Sequence, residues 1–596
     1  RDGKFLRHGK HPKDLGKPGI RRLTNAKGDY KSLRNGLGYL DFRDSDHLVH
    51  PELPLHDSSN LFGTDIRLAV VKKQKNVLEK LIKDLKATRV KLAEIPTLII
   101  DDEADQASVN TKDNRKKSPE DRARTTINRL IAELLHELPR AQYVAYTATP
   151  FANVFVDPDD VDDIFPKDFI VSLEPPTAYM GGKAFHDLDR DPDGLDEVDV
   201  SAPENSLALS NERAYIRDLT ADLDNDHQKR RDELRSALDS FVLSGALKLH
   251  RRSVGHPGDY RHHTMLVHES VRQQDHKELA DTVEDVWKSA GYSTPEGMRR
   301  LHQLYKDDFA PVTAARAPQA PTPADFRELL PFIGESVTRI NGGTRPVIIV
   351  NGAAEKDYTQ PDLDFQADDV WKVLVGGAKL SRGFTVEGLT TTYYTRRTTT
   401  ADTLMQMGRW FGYRPGYGDL VRLYIGRNVP GPRKGTTVDL YKAFEAVVRD
   451  EEDFREQLRQ YRGLDADGRP RVRPIDVPPL VFQSLPWLTP TGRNKMFNAE
   501  LTMKGEGGKV RDFFQHPRRD PDINARHFHA VSPLLDAAVA RGTFFTINPP
   551  KPTASATDRV SRWSGRYGIV DTETMLQILA RFSWGKNFSF EPTLDF

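Results

Sequence analysis

Apolar positions recur along this chain in two rhythms, helical and extended. From Lys72 onward, Val77, Leu78, Leu81, Ile82 and Leu85 repeat at helical spacing, which predicts an amphipathic helix. Pro96 then opens the apolar run TLII, a strand ending in the acidic cluster Asp101, Asp102, Glu103 and Asp105. Ile127, Leu130, Ile131, Leu134 and Leu135 mark one face of another helix, which leads into a second short strand, QYVAYTATP. Such alternation predicts a parallel sheet with functional loops at its strand ends. A second α/β pattern follows. Its strands are MLVH (265–268), PVIIV (346–350), KVLVGG (372–377), TTTYYT (390–395) and LVRLYI (420–425), with helices over 211–240, 271–290 and 401–412.

Between these patterns the composition shifts. Residues 1 to about 65 are rich in Gly, Lys, Asp and His and show little periodicity. Residues 155–215 are acidic and Pro/Gly-rich and read as an insertion or connector. The Ala/Pro-biased APVTAARAPQAPTPADF (310–326) predicts an extended spacer. Beyond Tyr461, Pro is scattered and periodicity weak, so no fold is assigned there. The expected organisation is a first lobe over 1–170, a connector over 171–254, a second lobe over 255–430 and an accessory region over 431–596.

A chain of 596 residues is too long for one core, which agrees with several domains. Lys+Arg and Asp+Glu both total 87, so global charge gives no attraction for nucleic acid and any basic surface must be local. The absence of cysteine excludes disulfides, thiolate nucleophiles and Cys-ligated zinc. No apolar run approaches the roughly 18 residues that span a bilayer, and the basic first residues lack a signal peptide's apolar stretch. A cytoplasmic protein without a membrane partner is the expectation.

The chemistry-bearing candidates lie at strand ends. In TLIIDDEAD, Asp102 and Glu103 follow an apolar strand, as an NTPase needs if one carboxylate is to anchor hydrated magnesium and the next to polarise a water. Taken alone, the same residues also suit an acidic surface turn. In YTATP, Thr147 and Thr149 can hydrogen-bond the acidic motif. In GGAKLSRGFTVEGL (376–389), Gly383 permits close backbone approach to phosphate, and Lys379, Ser381 and Arg382 are candidates for nucleic-acid contact. In QMGRWFGYR (406–414), Arg409 and Arg414 sit near a helix end, where arginines from a second lobe can neutralise a transferring phosphoryl group. The histidines, His262-His263 and His527 with His529 among them, show no metal-binding spacing.

Taken in order, these segments resemble superfamily 2 helicases: IIDDEAD their motif II, TAT motif III, SRGFT motif V and QMGRWFGYR motif VI. They are more similar still to a bacterial family that bears the name endonuclease and carries the Z-one domain. RRLTNAKGDY, LIIDDEADQASVN, YTATPFANVF, EPPTAYMGG, DTLMQMGRWFGYRPGYGDL and LTPTGRNKMFNA carry that likeness. The resemblance implies two RecA-like parallel-sheet α/β lobes with ATP and Mg between them. It also implies DNA as partner, a companion nuclease or methyltransferase, and a setting in bacterial restriction or phage defence. Asp102, Glu103, Arg409 and Arg414 would be catalytic, Asp102 holding Mg through water. Asp105, Thr147, Thr149, Gln406 and Gly383 would couple nucleotide state to motion. Three departures stand out. Thr385 follows Phe384 where motif V usually carries Asp, two extra residues separate Arg409 from Arg414, and no GxxxxGK[ST] precedes Asp102. With Arg rather than Met at position 1, the expectation is a first lobe truncated at its N-terminus and a fragment inactive without its phosphate loop. A degenerate ATPase, a nuclease with its site in the C-terminal region and a non-hydrolysing DNA-binding module are the alternatives.

Overall fold

A computed structural model describes residues 20–24, 50, 52–61, 66–87, 91–112, 125–158, 160, 163–176, 178–188, 207–222, 225–269, 273–342, 345–350, 363–376, 386–431, 435–499, 521–541, 543–547 and 563–567. Two compact units emerge, one over 1–191 and 196–499 and one over 192–195 and 500–596. In the second, the described elements are a helix over Pro521–Arg541 and an antiparallel pair, Thr543–Ile547 with Trp563–Tyr567. The rest of this description concerns the first unit.

Its N-terminal part holds two short parallel pairs. Strand β1 (Ile20–Arg22) pairs with β2 (Ile66–Leu68). After helix α1 (Lys75–Lys86), β3 (Thr97–Asp102) pairs in register with β4 (Ala141–Tyr146), and α2 (Thr126–Glu137) lies between them in sequence. The predicted apolar faces form the core here. Leu78 and Ile82 of α1 meet Leu130, Ile131 and Leu134 of α2, with Ile99 and Tyr143 packed on from the strands. Leu98 and Ile100, one residue out of phase, are exposed. Short helix α3 (Phe151–Val154) follows β4, and β5 (Tyr179–Met180) lies further on.

The larger part is a mixed α/β fold around six parallel strands. The strands are β6 (Ile216–Leu219), β7 (His263–His268), β8 (Val347–Val350), β9 (Trp371–Gly376), β10 (Leu389–Tyr394) and β12 (Arg422–Gly426), in the order β6-β12-β10-β7-β9-β8. An all-parallel sheet with helical crossovers is consistent with a RecA-like lobe. Every residue of β7, β9, β10 and β12 is buried, which is why they read as near-continuous β-branched and aromatic runs rather than alternating ones.

Helix α4 (His227–Ser253) crosses this core and is buried on all sides from Ala237 to Arg251. The helix expected over 211–240 is therefore two elements, Asn211–Tyr215 and α4, with β6 between them. An all-round buried helix has no polar face to mark its length in sequence. Its charged residues enter the core with partners. Asp239 accepts from Arg300 at 3.0 Å, and both Nη atoms of Arg251 donate to Asp419 at 2.7 and 2.6 Å. Both β6 and α4 come from residues expected to be a connector.

The expected extended spacer over 310–326 is also corrected. Helix α6 (Pro295–Leu304) runs through a π-helical turn, Tyr305–Phe309, straight into α7 (Ala310–Arg316). Pro311 has no N–H and its ring crowds the carbonyl four residues back, so a wide turn just ahead of it lets the helix continue. That turn places Asp308 between Arg217 and Arg422, whose Nε atoms each donate to it at 2.9 Å. After Arg316 the prolines do end the helix. Helices α5 (Gln273–Ser289) and α8 (Leu330–Asn341) also pack on the sheet. The last elements are α9 (Ala401–Met407), β11 (Gly412–Tyr413) and α10 (Leu440–Leu458). Among the described residues, no helix is long and apolar enough to cross a membrane.

Candidate functional site

The acidic cluster divides by the pleat of β3. Asp101 points inward and is buried, whereas Asp102 is exposed. Asp101 accepts from Lys73 Nζ at 2.8 Å, from Ser108 Oγ at 2.6 Å and from the Tyr143 hydroxyl. Burial, reinforced by the Asp101 carboxylate, pushes the Tyr143 phenol far above its usual range, so it remains a proton donor. Lys73 Nζ also reaches the carbonyls of Asp102 at 3.0 Å and Glu103 at 2.9 Å. These contacts close the loop after β3 in an uncommon conformation. Glu103 has φ +53° and Ala107 φ +58°, both left-handed positions without glycine. Glu103 N donates to Asp102 Oδ1 at 3.0 Å, and both side chains face out of the strand end.

Asp105, almost fully buried, is the junction of the site. Thr147 Oγ1 donates to it at 3.0 Å and Thr149 Oγ1 at 3.4 Å, from the end of the neighbouring strand. Gln406 Nε2, on α9, donates to Thr149 Oγ1 at 2.9 Å and lies 3.5 Å from Asp105 Oδ2. The same helix leads directly to Arg409. Burial lowers the Arg409 pKa, and the Glu103 carboxylate is near enough to oppose that effect. Asp102, Glu103, Asp105, Thr147, Thr149, Gln406 and Arg409, collected from segments 300 residues apart by sequence reasoning, thus lie in one place. Lys379, Ser381, Arg382 and Gly383 lie outside the described residues.

Arg414 is placed differently. It is buried, and its guanidinium donates to the carbonyls of Tyr413 at 2.8 Å, Trp410 at 3.2 Å and Arg409 at 3.4 Å. The two extra residues between the arginines have a structural reason. Gly412 and Tyr413 form β11, antiparallel to β5, which is the Tyr179–Met180 of EPPTAYMGG. Gly412 has φ +152°, and a Cβ there would sit 2.6 Å from Arg414 Nη1, so only glycine fits. Trp410, fully buried, anchors the turn edge-on to Tyr394 and Phe444.

A strap from the C-terminal side completes the cluster. Thr489 bridges Thr400 at the start of α9, Thr491 Oγ1 donates to Asp402 at 2.6 Å, and Lys495 Nζ donates to the Asp105 carbonyl at 2.6 Å. Sequence reasoning singled out LTPTGRNKMFNA without naming Lys495, and it missed Lys73, Ser108 and Tyr143. A lone lysine or tyrosine carries no local pattern that reveals its tertiary partner.

Among the described residues, no group of three His, Asp or Glu forms a metal cage. Magnesium does not need one. It keeps most of its waters and takes one or two carboxylates plus substrate phosphates. The exposed Asp102 beside Glu103 is a donor set that fits this.

Comparison with known families now has a geometry to attach to. Residues 233–485 match the Z1 domain. The Z1 region takes in most of α4, five of the six strands, α9, Arg409 and Arg414. Its boundaries leave the acidic loop ahead of it and the strap residues Thr489–Lys495 behind it, although both make direct contacts with α9 or its partners. No curated protein matches the chain.

Proposed function

We propose that this chain is the motor part of an ATP-dependent nucleic-acid helicase or translocase, acting on DNA in a bacterial restriction or phage-defence system. One observation carries the reading. Asp105 of the acidic loop is hydrogen-bonded to Thr147 and Thr149 and lies against Gln406, on the helix that leads to Arg409, whose charge the Glu103 carboxylate favours. An acidic strand end and an arginine from a separate sheet meeting over a shared polar relay is what a composite NTPase site requires. The Z1 match supports the endonuclease- and defence-type setting.

In this reading Asp102 binds hydrated magnesium, and Glu103 orients and polarises a water toward the terminal phosphate. The bound ion would neutralise phosphate charge. Arg409 stabilises charge that grows on the transferring group, and Arg414 holds the turn that carries Arg409. The Thr147–Thr149–Gln406 relay reports the state of the acidic loop to the Z1 region, and Lys379 and Arg382 contact nucleic-acid phosphates.

The test uses steady-state ATP turnover with DNA, alongside nucleotide binding and a melting curve for each variant. Glu103→Gln abolishes DNA-stimulated ATP turnover while leaving ATP binding in place, because Gln keeps the size of Glu but polarises water poorly. Arg409→Ala lowers turnover by on the order of 10³-fold. A merely structural Arg409 would instead lower the melting temperature with turnover per folded molecule intact. If both variants stay folded and hydrolyse ATP like the parent, the motor reading is wrong.

A further inference from the structure

A second buried arginine, Arg396, shares with Arg409 an influence on one histidine, His268. At the C-terminal edge of the sheet, Thr395 N donates to the His268 carbonyl at 3.1 Å, tying the ends of β10 and β7 together. Arg396 follows and is only 7% exposed. Its Nη1 donates to His268 Nε2 at 2.6 Å, so that nitrogen is an acceptor and His268 is neutral. Burial pushes the His268 pKa down to about 3, with Arg396, His276 and Arg409 adding to the effect. Three positively charged or protonatable side chains therefore act on it, and Arg409 among them also feels the Glu103 carboxylate.

What Arg396 lacks is an anion. Its Nε is buried without a hydrogen-bond partner, as are His268 Nδ1 and Thr395 Oγ1. Among the described residues, no carboxylate forms an ion pair with it, and only the Tyr394 phenol opposes the effect of its burial. Three other buried arginines are treated differently: Arg251 of α4 is held by Asp419 and Arg422 of β12 by Asp308, and Arg414, which has no carboxylate, donates to the carbonyls of Arg409, Trp410 and Tyr413. A buried guanidinium with neither a counter-charge nor a set of carbonyl acceptors is costly, so the fold gains no stability from this one. The carboxyl ends of parallel strands are also where α/β sheets receive ligands.

We propose that Arg396, positioned by His268, is a phosphate-binding residue that takes a phosphate group of a nucleoside triphosphate at the C-terminal edge of β10. This rests on the nucleotide-cleft reading above and adds to it a contact from a loop that the recognised motifs do not include. The ligand supplies the missing anion, and the charge-assisted bond from a buried guanidinium is of the strong kind.

The experiment uses the 1–596 chain and inorganic tripolyphosphate, a phosphate chain without base or sugar, in a binding titration and a melting curve. The parent binds tripolyphosphate and is stabilised by it. Arg396→Met loses about tenfold or more in affinity, the size expected for one charge-assisted bond. Without ligand it melts no lower than the parent, because an unpaired buried cation has been removed. Arg396→Lys keeps the charge and binds more tightly than the Met variant. A Met variant that binds like the parent overturns the proposal, and so does one that fails to fold or melts well below the parent without ligand. Single-stranded DNA provides a second arm: loss of DNA binding with tripolyphosphate affinity intact would place a nucleic-acid strand here instead and overturn the assignment. The two readings fail separately. If the parent binds tripolyphosphate and Arg396→Met changes nothing, only the Arg396 assignment falls. If the 1–596 chain binds no triphosphate compound at all, both fall.

Discussion

The two strand sets that meet at this site are held by different physics. In the six-stranded sheet, β7, β9, β10 and β12 are buried along their whole length, and Arg251 and Arg422 enter the core paired with Asp419 and Asp308. In β3, burial alternates, with Leu98 59% and Ile100 62% exposed, and only one face packs on α1 and α2. What fixes the acidic end of β3 is a set of polar pins: Lys73, Ser108 and Tyr143 on Asp101, Thr147 and Thr149 on Asp105, Lys495 on the Asp105 carbonyl. The sheet owes its shape to packing, so it is a rigid platform. The loop owes its shape to a few hydrogen bonds, each of which a ligand or a neighbouring segment can exchange. A site built across both has one fixed wall and one that can respond.

The largest effect expected from breaking this contrast lies in the platform. Asp419→Ala strips the carboxylate from Arg251, which is 0% exposed, and removes the acceptor of Thr313. An uncompensated buried guanidinium costs about 3–5 kcal/mol. The loss is global, so chemical denaturation and soluble yield both report it. A denaturation midpoint within error of the parent would mean that the pair is not part of the platform's stability.

The responsive wall gives a smaller and more local effect. Asp101→Asn keeps the shape but removes the charge that Lys73 and Tyr143 address, at a cost of about 1–3 kcal/mol. Hydrogen exchange should speed up over 97–110 and 141–149 while β7 and β10 keep their protection. Equal loss of protection in both regions would show that the two walls unfold as one, and the comparison above would fail.

That same contrast explains what was legible in sequence. Five of the six platform strands were found within a residue or two because buried parallel strands are long runs of Val, Ile, Leu, Thr and Tyr, whereas β6 was read as part of a helix over 211–240. The acids and threonines of the responsive wall were found because each sits at the end of such a run. Helix α4 was not legible beyond Ser240, since Lys248, Arg251 and Arg252 look like a solvent face until Tyr417 and Asp419 are seen beside two of them. Pro311 looked like a breaker because the π-helical turn that accommodates it has no sequence pattern. Arg396, inside TRRTTT, has the composition of a surface turn, and only the fold buries it.

The smallest effect sharpens the comparison through pH. Three histidines of the packed region are buried and depressed: His186 to about 3, His268 to about 3 and His263 well below its usual value, in each case chiefly by burial. Each stays neutral in the fold and takes a proton in the unfolded chain near pH 6.5. The unfolded state therefore binds more protons between about pH 6.5 and pH 3. Stability is fully present above 6.5 and falls as pH drops through that window, at about 1.4 kcal/mol per pH unit for each such group. His186 is the cleanest place to test this. Neither ring nitrogen has a hydrogen-bond partner, and its ring lies 4.7 Å from that of Tyr441, so it behaves as an aromatic filler. His186→Phe keeps a ring in that space and deletes the titration. At pH 8 the variant should unfold at nearly the parent's denaturant concentration. At pH 5 it should be the more stable of the two by roughly 2 kcal/mol, one proton's share over 1.5 pH units. Midpoints measured at pH 8, 6.5 and 5 decide the matter. Parallel curves for parent and variant would mean that His186 reaches water in the native state, and that this part of the packed region is as yielding as the acidic loop.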